Sequence, residues 1–405
     1  MRATKRRFVA ASGLLLALVI TSALTHAAPP LRTYNIDPEQ ISVSGLSSGG
    51  YMAVQMHVAF SSRIMGAGVL AAGPYLCAEG NALYATTRCL NSGSSLLPPA
   101  AYFQGLTKAL SDAARIDPIA NLAGDRVWLF TGGADSVVVT PVVDRLHDYY
   151  EFFVDPDDMV YLRDQISEAQ HAMITDDYGR PCGFEGGAYI NDCDFDAAGA
   201  LLNHIHGGLK SPVEAPAANL KTFDQSAFSS TQSLGAQAYI YVPSTCEDGN
   251  ARCKLHVALH GCRQNKTVLG DEYARHAGYN EWAEANDIVV LYPQTGEDAV
   301  NQCWDWWGYT DPGVEQNYAT KNGVQMAAIE AMIGRVIGKP RSRYCAADTN
   351  AAHVAAGRAY TQGYWWVWTL YYASGSDDYL GWRGASTTNL KETRPGEFAV
   401  AASCR

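Results

Sequence analysis

The sequence predicts an α/β fold with a mostly parallel sheet flanked by helices. Three observations carry this. Short runs rich in Val, Ile and Leu alternate with longer segments of helical periodicity. One run, Ile41 to Ser44, ends in Gly45-Leu46-Ser47-Ser48-Gly49 and leads straight into a helical pattern, the strand–turn–helix context that a G-x-S-x-G motif needs. The alternation then restarts near Ala238, so both halves of the chain are expected to supply strands.

The first 28 residues stand apart from the fold. Arg2, Lys5, Arg6 and Arg7 form a basic start, Leu14 to Ile20 an apolar stretch, and Thr25-His26-Ala27-Ala28 a small-residue cleavage site. This pattern reads as a secretory signal peptide. The apolar stretch falls short of the about 20 residues a membrane span requires. No later segment is long and apolar enough to span a bilayer, so no membrane anchor is expected after cleavage.

The elements then follow in order. Residues 41–45 read as a buried strand, and residues 48–60 as a helix with Met52, Met56 and Ala59 on one stripe. Val69 to Ala72 is the next strand. The Gly-, Ser- and Asn-rich segment from Cys77 to Pro99 is expected to be a disulfide-tied loop. Leu106 to Arg115 is a helix, and Val127 to Thr131 a strand running into Gly132-Gly133-Ala134-Asp135. Pro141 to Phe153 is a helix and Val160 to Ile166 a strand, followed by a loop bearing His171. Ala197 to Ile205 is a helix. In the second half, Ala238 to Val242, Leu255 to Leu259 and Ile288 to Tyr292 are strands; Tyr273 to Ala285 and Val324 to Ile337 are helices. Gly338-Lys339-Pro340 marks a boundary. Residues 29–340 form the main domain, and the aromatic-rich residues 341–405 a small accessory module whose aromatic cluster is read either as a polymer-facing patch or as the core that so small a module needs.

Composition excludes some functions. With 47% hydrophobic residues among 405, the chain can bury a large core, and its net charge of −11 does not suit a nucleic-acid binder. Ten cysteines in an exported chain imply disulfides. They fall into near pairs, Cys77/Cys89, Cys182/Cys193, Cys246/Cys253, Cys262/Cys303 and Cys345/Cys404, although spacing alone does not prove connectivity. The rival is a zinc site. The sequence lacks a C-x-x-C pair, and His204 and His206 are spaced two apart, off a shared helix face.

The G-x-S-x-G turn points to acyl-transfer chemistry. Ser47 is the expected nucleophile, and the Ser48 N–H at the helix start an oxyanion donor. In α/β hydrolases the acid and then the histidine follow the serine in chain order. Asp135, after a strongly apolar strand and two glycines, is the expected acid; Asp144 and Asp155 are weaker candidates. His171 is the expected base, with His204 and His206 as rivals. His147 reads as a solvated helix face, and His57 lies too near the elbow helix. A second oxyanion donor normally comes from a loop ahead of the serine, but such a loop, Leu259-His260-Gly261-Cys262-Arg263-Gln264, lies far downstream. Circular permutation of the α/β-hydrolase topology explains this.

Gly45 to Met52, Ala169-Gln170-His171, Leu259 to Gln264 and Cys303-Trp304-Asp305-Trp306-Trp307 together resemble the catalytic domain of poly(3-hydroxybutyrate) depolymerases in its permuted form. The resemblance covers roughly residues 33–340. It implies the triad Ser47, Asp135 and His171, and an oxyanion hole from the N–H groups of Ser48 and Cys262. It also implies a polyester-binding segment with Trp304, Trp306 and Trp307, Trp307 foremost. The expected protein is a secreted or periplasmic serine esterase, monomeric and without metal or cofactor, acting on a polyester or its oligomers. Two other readings differ in substrate or class. One is a feruloyl or acetyl esterase on plant polysaccharide; the other is a non-catalytic polymer-binding protein.

Overall fold

In the computed structural model the strand that leads to Ser47 lies inside an eight-stranded sheet. The structure describes residues 28–90, 96–228, 233–311, 317–338, 345–364, 368–394 and 397–401. The expected signal peptide falls, but for Ala28, outside them. The first four strands are β1 (Ile36–Leu46), β2 (Gly66–Leu70), β3 (Arg126–Thr131) and β4 (Met159–Arg163). A small three-stranded sheet follows: β5 (Met173–Thr175), β6 (Arg180–Pro181) and β7 (Ile190–Asp192). The main sheet is completed by β8 (Leu220–Asp224), β9 (Gln237–Tyr241), β10 (Cys253–Leu259) and β11 (Ile288–Tyr292). Its order is β4-β3-β2-β1-β10-β11-β9-β8, parallel except where β9 meets β11 and β8.

The central strands β2 and β11 are buried at every residue, as continuous apolar runs in a parallel sheet should be. The register settles the permutation. β1 and β10 pair in parallel with Gly45 opposite Leu259, so the loop after Leu259 emerges beside Ser47 although it comes much later in the chain.

The helices of the main domain are α1 (Ser48–Ala59), α2 (Ala82–Arg88), α3 (Ala100–Asp112), α4 (Thr140–Tyr150), α5 (Ala197–His206), α6 (Lys266–Leu269), α7 (Glu272–His276), α8 (Tyr279–Asn286) and α9 (Val324–Val336). Every residue of α1 is buried, because it lies over β1, β2 and β10. Two sequence expectations change. The segment after Cys77 is not all loop: the Asn81 side chain accepts the Leu83 N–H at 2.8 Å and caps α2. The expected helix from Tyr273 to Ala285 is two helices, broken where Gly278 adopts a left-handed φ of 84°.

The C-terminal part holds β12 (Cys345–Thr349), α10 (Asn350–Ala355), β13 (Ala359–Tyr364), β14 (Trp368–Ala373), β15 (Tyr379–Gly381), β16 (Thr387–Arg394) and β17 (Glu397–Val400). It has its own small core of Ala359, Ala373, Leu380, Leu390 and Phe398. Among the described side chains this core holds one aromatic residue, Phe398, with Tyr371 packed against it. Tyr360, Tyr379 and Trp382 are exposed, and Tyr372 stacks on Tyr360 and lies tilted against Tyr379. Four of the five expected disulfides are present: Cys77–Cys89, Cys182–Cys193, Cys246–Cys253 and Cys262–Cys303. The fifth pair includes Cys404, outside the described residues.

Candidate active site

The C-terminal ends of β1, β3, β4, β10 and β11 all feed one edge of the sheet, the edge where parallel α/β sheets bind ligands. Ser47 sits between β1 and α1 with φ 56° and ψ −122°, a conformation that bulky residues avoid. Its strain is held by the Ser47 N–H, which donates to the Leu70 carbonyl at 3.0 Å. The glycines around it are required by contact. A Cβ at Gly45 would overlap the Gly49 carbonyl, and one at Gly49 would overlap the carbonyl oxygens of Leu259 and His260. The elbow and the end of β10 therefore touch backbone to backbone.

Gly132 and Gly133 do the same for the acid loop. A Cβ at Gly132 would overlap the Ala169 carbonyl, and one at Gly133 would press on Ser167. The Ala134 N–H donates to the Ala169 carbonyl at 3.1 Å, and the Gly133 N–H to that of Ile166 at 3.0 Å. This seam brings Asp135 to His171. His171 Nδ1 lies 2.9 Å from Asp135 Oδ2, and both side chains are buried. The other carboxylate oxygen accepts the backbone N–H groups of Val137 and Val138, each at 2.9 Å. With Asp135 fixed by three hydrogen bonds, this geometry suits a proton on His171 Nδ1, which would leave Nε2 free to accept one.

Ser47 and His171 line one cavity of about 440 Å³, together with Gly261, Cys262, Gln264, Trp306 and Trp307. Neither the Ser48 N–H nor the Cys262 N–H has an acceptor among the described residues, so both remain available to an oxyanion. The Cys262 loop is braced from three sides. The Gly261 N–H donates to Gln264 Oε1 at 2.6 Å, the Arg263 N–H to the Asn301 carbonyl at 3.1 Å, and Cys262 is bonded to Cys303. His260 is fully buried, and burial pushes its pKa down to about 4, so the ring is neutral. Its Nδ1 donates to the Gly261 carbonyl at 2.7 Å, while Nε2 accepts the Thr295 N–H at 3.3 Å.

The tryptophans divide. Trp306 stacks on Tyr51 at 4.0 Å, with Trp307 edge-on to it at 5.2 Å, and both face the cavity. Trp304 does not line the cavity. It is fully buried against His260, and its backbone N–H donates to Ser48 Oγ at 3.3 Å, so it packs behind the cavity wall.

The rival residues lie elsewhere. His206 bonds Ser42 at 2.9 Å, five residues and roughly 16 Å of strand before Ser47. His204 bonds the Asp158 carbonyl at 2.9 Å, at the start of β4 and away from its catalytic end. His57 is buried between Tyr150 and Asp125. Asp144 is bound to Tyr161 and Arg163, and Asp155 caps a short turn. Two contributors were missed. Asp305 accepts from the backbone N–H groups of Trp307, Gly308, Tyr309 and Thr310 and so shapes the Trp turn; burial raises its pKa and these bonds oppose the rise. An aspartate opening a turn was the available signal. Helix α2, hidden in the expected loop, puts Ala82, Ala85 and Thr86 on the cavity wall.

No family model matches the chain. It is 47% identical over 331 residues to a poly(3-hydroxybutyrate) depolymerase of Delftia acidovorans, covering 81% of this chain and 65% of the relative, so it spans less than two thirds of that protein. It is 33% identical over 338 residues to a polyhydroxybutyrate depolymerase of Talaromyces funiculosus, covering 79% of this chain and 96% of the relative. The crystal structure of a PHB depolymerase from Penicillium funiculosum superposes with a TM-score of 0.69 at 32% identity, covering 76% of this chain and 99% of that one. A PHB depolymerase complexed with an R3HB trimer superposes with a TM-score of 0.70, again at 32% identity and with the same coverage.

Proposed function

The chain belongs to the poly(3-hydroxybutyrate) depolymerases, and from that premise we propose that it is a secreted serine esterase cleaving the polyester or its oligomers. Ser47 Oγ attacks an ester carbonyl while His171 Nε2 takes its proton. Asp135 holds the imidazole in the right tautomer and stabilises its protonated form. The N–H groups of Ser48 and Cys262 receive the charge that develops on the carbonyl oxygen. His171 returns the proton to the leaving alcohol, then activates water to free the acyl group from Ser47 as a 3-hydroxy acid. Trp306 and Trp307 form the apolar wall for the chain. The observation that carries this reading is the single cavity shared by Ser47, His171 and the Cys262 loop.

Four disulfides support an exported protein. Among the described residues no helix is long and apolar enough to cross a membrane. The separate core of residues 345–401 supports an accessory module beyond the catalytic domain.

The test is product release from purified protein. Wild type should release 3-hydroxybutyrate from the polymer and from soluble trimer; Ser47→Ala should abolish this, and Ser48→Ala should be mild. A fluorophosphonate probe should label Ser47. Release of ferulate or acetate from polysaccharide esters, with no hydroxybutyrate from polymer or trimer, would refute the polyester reading.

A further inference from the structure

The cavity wall is almost free of charge. Among its described lining residues, Arg263 is the only one with a permanent charge, and none is Asp or Glu. The Arg263 guanidinium makes no ion pair or hydrogen bond with any described residue. Arg63, Arg88 and Arg163, by contrast, are each held by a carboxylate. Its neighbour Gln264 is also committed: Oε1 accepts the Gly261 N–H, and Nε2 donates to the carbonyls of Ala188 and Tyr189.

The backbone that holds Arg263 there is strained. Its φ is 63°, and the facing residues Asn301 and Gln302 have φ of 51° and 52°. A long side chain in the left-handed region persists only where the surroundings over-determine it, and such outliers gather at binding sites. Here the surroundings are the Cys262–Cys303 bridge and the hydrogen bond from the Arg263 N–H to Asn301.

A neutral polyester offers an arginine only weak ester acceptors. One group on such a chain suits a guanidinium well: the free carboxylate at its acid end. We propose that Arg263 receives this carboxylate, so that the site favours oligomers whose acid end lies next to the scissile ester. The inference rests on the reading of Ser47, His171 and Cys262 as the cleaving groups. Arg263 directly follows Cys262 and lines the same cavity as Ser47 and His171, so a carboxylate on the guanidinium would share that cavity with a carbonyl held by the Cys262 N–H. Products from that end are single units or short pieces. The net charge of −11 opposes an anionic chain end in general, which makes one local cation decisive.

The test compares the 3-hydroxybutyrate trimer as free acid and as methyl ester. Wild type should prefer the acid about tenfold in kcat/KM, mainly through KM, and added salt should erode the preference. Arg263→Gln should bring the ratio near one. Arg263→Lys should keep part of it, having the charge without the fork. Arg263→Glu should invert it. Because the guanidinium has no partner among the described residues, Arg263→Gln should melt close to wild type, which separates binding from folding. An acid-to-ester ratio of one in wild type, or an unchanged ratio in Arg263→Gln, overturns the inference and leaves the proposed function standing. Cleavage of neither trimer overturns both.

Discussion

Replacing Cys262 and Cys303 together by serine should cost stability and catalysis by separable amounts. The bridge spans a sequence separation of 41 residues. In the chain-entropy account, closing a loop of that size stabilises the fold by about 4 kcal/mol. The Cys246–Cys253 bridge, with a separation of 7, gives about 2.5 kcal/mol by the same account and lies at the start of β10, the end remote from Ser47. The two double variants should therefore differ modestly in melting temperature. They should differ far more in kcat. Losing an oxyanion donor outright costs about 100- to 1,000-fold. Here the loop keeps its bonds from Gly261 to Gln264 and from Arg263 to Asn301, so a loosened donor should cost roughly 10- to 100-fold. KM should move less. The assay is trimer hydrolysis well below each variant's melting temperature. Full kcat in C262S/C303S, with only stability lost, would refute the claim that the bridge positions the oxyanion loop. Cys77–Cys89 is a poor control, because its loop carries α2 and the cavity residues Ala82 and Ala85.

Other expectations follow from the same geometry. His171→Ala should lower kcat by about a million-fold and Asp135→Asn by about ten-thousand-fold, with His204→Ala near wild type; trimer kinetics check this, and a reversed order would reassign the base. Gly49→Ala should destabilise by roughly 3 kcal/mol or more, since its Cβ meets the Leu259 and His260 carbonyls; denaturant unfolding measures it, and a near-neutral result would mean the elbow and β10 are not in contact. Stability should fall with acid. His260 has its folded pKa lowered to about 4 by burial, so its contribution is present above the unfolded value of about 6.5 and is lost as pH falls toward 4. Between pH 7 and pH 5 that amounts to about 2 kcal/mol. Buried His256, between Ser42 and Ser44, is shifted in the same direction, again by burial. Melting curves should show the drop and a shallower one in His256→Gln; an equal slope would exclude His256 as a contributor.

Much of the site was legible because its chemistry is local. Ser47, Asp135 and His171 each follow an apolar strand with small residues beside them, and the strain and close approach that those residues permit can be read without knowing where the strands go. The same holds for Cys77/Cys89, Cys182/Cys193 and Cys246/Cys253, which stand 12, 11 and 7 residues apart. Other features depend on groups distant in sequence. Arg263 gains meaning only when the described residues of the cavity wall around it are seen to hold no other permanent charge. Trp304, Trp306 and Trp307 look alike in the chain, yet the Asp305 turn sets the first behind His260 and turns the others to the cavity. Helix α2 was hidden because Gly, Ser and Asn around it signal loop, while its cap and its tie through Cys77–Cys89 override that composition. The sequence by itself determined the G-x-S-x-G turn between strand and helix and the alternation of strands and helices, since each is written in neighbouring residues. Only tertiary structure decided which loops share a wall, because that follows from the register of β1 against β10, a pairing between strands from opposite halves of the chain.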